Sequence, residues 1–326
     1  MLPASRATPT TRASHVAGRT YTFSAGISPN STKIGRFGFA APETLARKPR
    51  EGPAGGLIGI GVPLLKDTIG FTLLSLTLSE TTTDARRALF GRLIDHAPTF
   101  PPAQLPLFEG VAEHRRVLEG ETGWLVNRFV CPSSKLAELA DEELRLSVVI
   151  DNGQLPAPDD RIEAVEAAGL DPEVLIDAAP EVYCEVPLRD DVSFRILQIR
   201  ELGIRPKVRC GGSVLPSVPM LAELIQSCRR LDTPFKATAG LHHPIRAGDE
   251  HGFLNLLAAA VFGDEEDALA EEDPSAFDVS ADTFTWRDRS AGAAEVSAVR
   301  RKLFVGFGSC SAQEPVDGLR ALGFLP

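Results

Sequence analysis

Charged side chains that could do chemistry stand inside three successive segments that read as β-strands. They are Glu185 in E-V-Y-C-E, Arg209 in K-V-R-C and Lys236 in F-K-A-T. Side chains two positions apart in a strand share a face, so Thr238 shares the face of Lys236, and the opposite faces are small and apolar. We therefore expect Glu185, Arg209 and Lys236 to point into one interior. Strands that carry charges into a core either pair them or use them, so a layer of structural ion pairs is the alternative interpretation.

The turn after the second strand favours a bound anion. Gly211 and Gly212 follow Arg209 almost directly, and paired glycines let backbone N–H groups approach a ligand. With Arg209 beside them, the pattern predicts an anionic substrate that carries a carboxylate or a phosphate. Thr238, and Arg128 in an otherwise apolar earlier strand, join the predicted substrate-binding residues.

The segment K-A-T-A-G-L-H-H-P-I-R brings a lysine and two histidines together. A desolvated lysine among other cations can act as a Schiff-base nucleophile or a general base, which is the role predicted for Lys236. Glu185 or Asp151 is its predicted proton-transfer partner. His242 and His243 are candidates for an acid, a base or a ligand of a divalent metal. Adjacent histidines are not a specific zinc spacing, and a surface loop with incidental histidines is the alternative.

A further candidate group follows the last predicted strand, in F-G-S-C-S-A-Q-E-P. Ser309 and Cys310 precede a segment that starts like a helix, with Glu and Pro in its first turn. A helix N-terminus there could bind an anion or lower the pKa of Cys310. An ordinary serine cap beside a buried thiol is the competing interpretation.

The elements that must position these residues alternate between strand and helix patterns. This alternation predicts βαβ units and a parallel sheet, and seven or eight units in this length indicate a (β/α)8 TIM-type barrel. A doubly wound open sheet is the alternative, but its G-x-G-x-x-G fingerprint is missing. The predicted strands are 124–131, 144–151, 181–187, 206–212, 234–240 and 303–309. The predicted helices are 82–95, 107–118, 134–139, 160–168, 191–202, 218–230, 251–262, 295–302 and 315–322.

Charge is unevenly distributed along the chain. The first 50 residues carry eight basic groups against one acidic group, whereas the rest of the 326-residue chain carries a net charge of −17. An acidic body repels phosphate backbones, so we expect no nucleic-acid partner. Five cysteines without C-x-x-C spacing fit neither a disulfide framework nor a zinc ribbon and favour a reducing cytoplasm.

Three regions are predicted along the chain. Residues 1–52 are expected to be a disordered extension, 53–85 an apolar connecting segment of uncertain structure, and 86–326 the barrel domain. The apolar run at 55–78 is interrupted by Pro63, Lys66 and Asp67, so no membrane span is expected. The oligomeric state stays open.

Several motifs resemble those of a family of uncharacterised bacterial proteins. They are F-P-P-A at 100–103, R-F-V-C-P at 128–132, K-V-R-C-G-G at 207–212, K-A-T-A-G-L-H-H-P at 236–244, H-G-F-L-N at 251–255 and F-G-S-C-S-A-Q-E-P at 307–315. The resemblance supports a domain over 86–326 and implies no substrate. By fold analogy alone, the strand-end lysine with its glycine-rich turns also looks like a barrel-type class I aldolase.

These features favour an enzyme, resembling a lyase or aldolase, that acts on a small anionic metabolite with a carbonyl group. No cofactor is required for that chemistry. A metal-dependent hydrolase or lyase that uses His242 and His243 is one alternative. A non-catalytic binding or assembly protein is the other.

Overall fold

The structure, a computed structural model, describes residues 15–16, 19–20, 84–189, 191–212 and 215–325. The chain divides into two compact units, Met1–Phe71 and Thr72–Pro326. In the first unit, His15–Val16 pairs with Arg19–Thr20 in antiparallel fashion. The extension predicted at 1–52 otherwise lies outside the described residues, as does almost all of the connecting segment predicted at 53–85.

Eight parallel strands close into a barrel, which confirms the predicted (β/α)8 fold. Each strand pairs with the next along the chain, and the eighth closes the barrel by pairing with the first and the seventh. The strands are β1 (Ile94–His96), β2 (Val126–Pro132), β3 (Leu146–Val149), β4 (Ile162–Ala167), β5 (Glu181–Glu185), β6 (Arg205–Arg209), β7 (Phe235–Thr238) and β8 (Phe304–Ser309).

Helices cover one side of the barrel more fully than the other. Between β2 and β5 the connections contain only the 3-10 helices Ser133–Leu139 and Pro172–Leu175. The α-helices are α1 (Ala85–Phe90), α2 (Leu107–Glu119), α3 (Val192–Glu201), α4 (Val218–Arg230), α5 (Phe253–Phe262), α6 (Glu265–Ala270), α7 (Ala293–Lys302) and α8 (Gln313–Ala321).

The outward faces of the strands form the main apolar core. In β7, Phe235 and Ala237 are fully buried, and the Phe235 ring stacks on Phe304 of β8 with 5.2 Å between centroids. Phe307 of β8 stacks on Phe253 at 5.3 Å. Every residue of α5 is buried, as expected of a helix that is apolar on all sides.

Two segments that were predicted as helices contain barrel strands. The helix predicted over 82–95 ends at Phe90 with Gly91 as its C-cap, and its last residues form β1. The helix predicted over 160–168 is β4. In both segments the buried residues are spaced closely enough to fit a helical stripe as well as a strand, and β4 carries a register irregularity opposite β3 that breaks its alternation.

The long connection from β7 to β8 holds a small antiparallel sheet that the sequence patterns did not predict. Its strands are Phe277–Val279, Thr283–Trp286 and Arg289–Gly292. The five cysteines are free and buried. No helix in the described part of the chain is long and apolar enough to cross a membrane.

Candidate active site

A buried ionic network lies in the middle of the barrel, around Lys236 of β7. Its ammonium group donates to Asp95 of β1 at 2.5 Å and to Glu166 of β4. The three residues are at most 4% exposed. Burial opposes the charge on Lys236, but Asp95 and Glu166 outweigh it and raise the pKa of the amine. The pKa of Glu166 is lowered, since Lys236 and Lys207 outweigh the effect of its burial. Asp95 and Glu166 therefore keep Lys236 protonated.

Lys207 of β6 lies on the carboxyl-terminal side of this network. It faces Lys236 in register on the neighbouring strand, and its amine lies 3.2 Å from Glu166 Oε2 and 3.9 Å from Glu185 Oε2. Ser147 donates to the other oxygen of Glu166 at 2.6 Å. Glu166 thus holds two lysine amines with different oxygens, and Lys207 has the less enclosed amine of the two.

Two adjoining cavities, of about 230 and 520 Å³, lie where the strands end, and we call them together the mouth cavity. Lys207, Glu166 and Thr238 line the smaller part. His242, with the loop of Gly211 and Gly212, lines the larger part. Both parts share Pro101, Arg209, Ala239, Gly308 and Cys310. The carboxyl end of a (β/α)8 barrel is where enzymes of this fold place their active sites.

Arg209 stands at the rim with much of its guanidinium free. Its side chain is 42% exposed, and Glu185 lies 3.9 Å away in a third cavity of about 300 Å³ that both residues line. Arg209 is therefore available to an anion in the mouth cavity. The predicted grouping of Glu185, Arg209 and Lys236 on one interior face agrees with these positions. In the strand register Lys207 lies opposite both Glu185 and Lys236, and Arg209 is two residues further along β6.

The glycine pair after β6 is needed for close backbone packing. A Cβ on Gly211 would lie 2.6 Å from Gly240 Cα, so the loops after β6 and β7 touch at these two glycines. Gly212 has a φ of +85°, and a Cβ there would lie 3.2 Å from Arg209 Nη2. The two glycines therefore let the rim of the mouth cavity form around the guanidinium.

The two adjacent histidines point to different surroundings. His242 lines the mouth cavity and its Nδ1 lies 2.7 Å from Glu314 Oε2. The side chain of His243 is 59% exposed and lies 3.5 Å from Glu250. In the described residues no group of three or more His, Cys, Asp or Glu side chains is placed to hold a metal ion. The metal-dependent alternative stays a prediction.

Asp151 and Arg128, like Lys236, Glu185 and His243, are predicted site residues that do not line the mouth cavity. Asp151 caps the 3-10 helix after β2, where its carboxylate accepts from Ser133 at 2.8 Å and from the Ser134 amide at 2.9 Å. Its slight burial is outweighed by these bonds, which lower its pKa. Arg128 belongs to the opposite end of the barrel, where it pairs with Glu163 at 3.0 Å and Glu181 at 2.8 Å.

Ser309 and Cys310 line the mouth cavity. Their contacts fit an ordinary turn beside a buried thiol rather than an activated cysteine. Ser309 Oγ donates to the Ser311 carbonyl at 2.6 Å and so shapes the turn. Burial raises the pKa of the Cys310 thiol. Loss of solvent around the thiol has a larger effect on its pKa than the start of the following helix, which fits the interpretation of a serine cap beside a buried thiol.

Sequence reasoning missed Asp95 and Glu166, the carboxylates that hold the lysines. Both lie in segments that were predicted as helices, so neither was considered as a strand residue that faces the interior. Buried lysines on successive strands require carboxylate partners, so the lysines were the signal that acidic residues face the interior from other strands.

No protein-family model matches the chain, and a search of the curated proteins also finds no match. The resemblance to bacterial proteins with the same motifs stays a prediction.

Proposed function

We propose that this protein is an enzyme of the lyase or aldolase type, acting through a lysine amine on a small anionic metabolite with a carbonyl group. The observation that carries the proposal is the position of Lys207. Its amine lies at the base of the mouth cavity, between Glu166 and Glu185, and the guanidinium of Arg209 stands at the rim. The Lys207 amine is placed to react with a carbonyl carbon, while Arg209 is placed to bind an anionic group at the other end of the same molecule.

Lys207 replaces Lys236 as the nucleophile in this proposal. Lys236 does not line the mouth cavity and is held as an ammonium ion by two carboxylates. Lys207 also lies beside two carboxylates, but at the longer distances of 3.2 and 3.9 Å. Its amine lines the mouth cavity, where it can reach a carbonyl carbon once it has lost its proton. Lys236 instead fixes Glu166, which accepts from Lys207 through its other oxygen.

The chemistry begins when Lys207 passes a proton to Glu185, whose carboxylate lies 3.9 Å from its amine. The neutral amine then attacks the carbonyl carbon, whose π electrons move to oxygen. That oxygen takes up protons and leaves as water, which gives a protonated imine on Lys207. When the β-carbon carries a hydroxyl, loss of its proton breaks the adjacent C–C bond, and the electron pair moves to the imine nitrogen. An aldehyde leaves and an enamine remains, which is then protonated and hydrolysed. His242, held by Glu314 at the wall of the cavity, is the proposed proton carrier.

Borohydride trapping tests the proposal directly. The full-length protein is incubated with pyruvate, dihydroxyacetone phosphate and other 2-oxo acids and sugar phosphates, reduced with borohydride, and mapped by peptide mass spectrometry. We expect a stable adduct on Lys207. Lys207→Arg keeps a cation beside Glu166 but removes the nucleophile, so it should abolish the adduct and lower turnover at least about a thousandfold.

Lys135→Arg is the matched control, because Lys135 is 53% exposed and pairs, within the described part of the chain, only with Glu138 of its own short helix. It should leave trapping and turnover unchanged. Failure of every panel member to give an adduct, or an adduct that persists in Lys207→Arg, would refute Schiff-base chemistry at this site. An adduct on Lys236 alone would restore the original assignment of the nucleophile.

A further inference from the structure

A further cavity, of about 590 Å³, opens at the other end of the barrel, where the strands begin. We call it the amino-end cavity. Arg205 at the start of β6 and Glu181 at the start of β5 line it, together with residues of α1 and α7. Its volume lies within the range of small-molecule sites.

The lining of the amino-end cavity is strongly cationic. Lys236 reaches it from the centre of the barrel, and two carboxylates, Asp95 and Glu181, oppose the positive charge. Asp95 is engaged by Lys236, and Glu181 is shared between two of the arginines at 2.7 and 2.8 Å. The arginines of the lining are Arg87, Arg92, Arg128, Arg205, Arg300 and Arg301.

Arg300 is a buried cation with no carboxylate in ion-pair contact among the described residues. It is 8% exposed, and it donates only to the backbone carbonyls of Phe304 at 2.6 Å and Gly91 at 3.3 Å. Its Nε has no hydrogen-bond partner in the part of the chain that the structure describes. Burial lowers its pKa to about 10. A buried guanidinium in this condition is costly unless an anion compensates it.

Arg87 and Arg301 are also without a carboxylate in ion-pair contact among the residues described. The guanidinium of Arg87 lies 4.8 Å from the centroid of the Trp124 ring, and Arg301 donates to Ser297 at 2.5 Å. Arg92 is less free, since it bonds to Asn127 at 2.9 Å and lies 3.8 Å from Glu163. Three guanidinium groups from α1 and α7 thus remain available at one cavity.

Helix electrostatics explain only part of this cluster. Cations in the last turn of a helix are stabilised by its dipole, which accounts for the placement of Arg300 and Arg301 at the end of α7. The last turn of α1 places Arg87 in the same way, and Glu181 pairs with both Arg128 and Arg205. Neither effect supplies an anion for the buried Arg300, or explains why Arg87, Arg300 and Arg301 meet at one cavity. A shared anionic ligand accounts for both observations.

We propose that the amino-end cavity binds a small molecule that carries a phosphate or diphosphate group. Planar guanidinium groups bind phosphate oxygens in pairs, and several arginines around one cavity of this size match a multiply charged phosphate. This site lies at the opposite end of the barrel from the mouth cavity, and it is independent of the proposed Schiff-base chemistry.

Isothermal titration of the full-length protein with inorganic pyrophosphate, at constant ionic strength, tests the site. We expect saturable binding. The double variant Arg87→Gln, Arg301→Gln should raise the dissociation constant at least tenfold. Both residues are exposed, so the fold should be preserved. Arg116→Gln on α2 makes the same kind of change at an exposed position outside the cavity and should leave the affinity unchanged.

The variant Arg209→Gln shows at which end of the barrel pyrophosphate binds. Pyrophosphate binding that survives this change but is lost in the double variant supports the amino-end site. Binding that is lost only in Arg209→Gln places the anion in the mouth cavity and overturns the inference. An unchanged affinity in the double variant, or no saturable binding by the wild-type protein, also overturns it.

Discussion

Lys236 Nζ lies 2.5 Å from Asp95 Oδ2, an ion pair that joins β7 to β1 past the intervening strand β8. The same amine reaches Glu166 on β4, so one lysine ties distant walls of the barrel together. Removing one partner of such a network leaves buried charges uncompensated, which costs more than the network itself contributes. The network thus lies between the two ends of the barrel, because Glu166 lines the mouth cavity whereas Lys236 and Asp95 line the amino-end cavity.

We therefore expect Lys236→Met to be strongly destabilising. Methionine fills similar volume, but Asp95 and Glu166 would lose their shared cation inside the barrel. The free energy of unfolding should fall by about 3–5 kcal/mol, measured by urea unfolding followed by circular dichroism. Lys135→Met, at an exposed surface pair, should change it by less than about 1 kcal/mol. Equal stabilities for the two variants would contradict a stabilising role of the buried cation.

The barrel could be predicted because its later strands are regular. In β5, β6 and β7 a charged or polar residue alternates with apolar ones, and each strand is followed by a helix. This alternation placed Glu185, Arg209 and Lys236 on inward faces. Glu185 and Lys236 both contact charged side chains inside the barrel.

The carboxylate half of the site could not be predicted in the same way. β1 is three residues long and directly follows α1, so its residues continue the helical spacing of Leu89, Phe90 and Leu93. In β4 the pairing with β3 skips a residue between Ile162 and Ala164, so the two-residue alternation of a strand is lost and the buried positions also fit a helical spacing. Local periodicity therefore failed where the strand was short or irregular, and only the pairing needs of the lysines pointed to the missing acids.

Gly211→Ala should destabilise the protein because its new Cβ would lie 2.6 Å from Gly240 Cα. Backbone on both sides would have to shift, and we expect a loss of about 1–3 kcal/mol in thermal or urea unfolding. Gly292→Ala is the control, since nothing lies within 4 Å of a Cβ at that position. A neutral Gly211→Ala variant would mean that the loops after β6 and β7 do not pack as closely as described.

The buried pair of His96 and His114 should make stability depend on pH. Their Nδ1 atoms lie 3.3 Å apart. Burial lowers the pKa of His96 to about 3, with His114 adding to the effect. The pKa of His114 is lowered to about 4 by burial, against the opposing charge of Asp95. The unfolded chain, with imidazole pKa values near 6.5, binds more protons below that pH, so stability should fall as pH falls from about 6.5 towards 4.

The expected loss is up to about 2 kcal/mol per histidine between pH 6.5 and 5, measured by urea unfolding at several pH values. His114→Phe keeps an aromatic ring against Phe129 and should flatten the dependence. His243→Gln removes an exposed histidine and should leave the slope unchanged. A slope that His114→Phe does not alter would assign the pH dependence to other groups.

Arg209→Gln should weaken substrate binding more than it slows the chemical step, because Arg209 stands at the rim whereas the proposed nucleophile lies at the base of the mouth cavity. A charge-assisted bond to a carboxylate or phosphate contributes about 1.5–3 kcal/mol, so KM should rise at least about tenfold with kcat less affected. Arg195→Gln on the exposed face of α3 should change neither constant. A fall in kcat at constant KM would instead place Arg209 at the reacting atoms, and the anion would then be bound by another part of the rim.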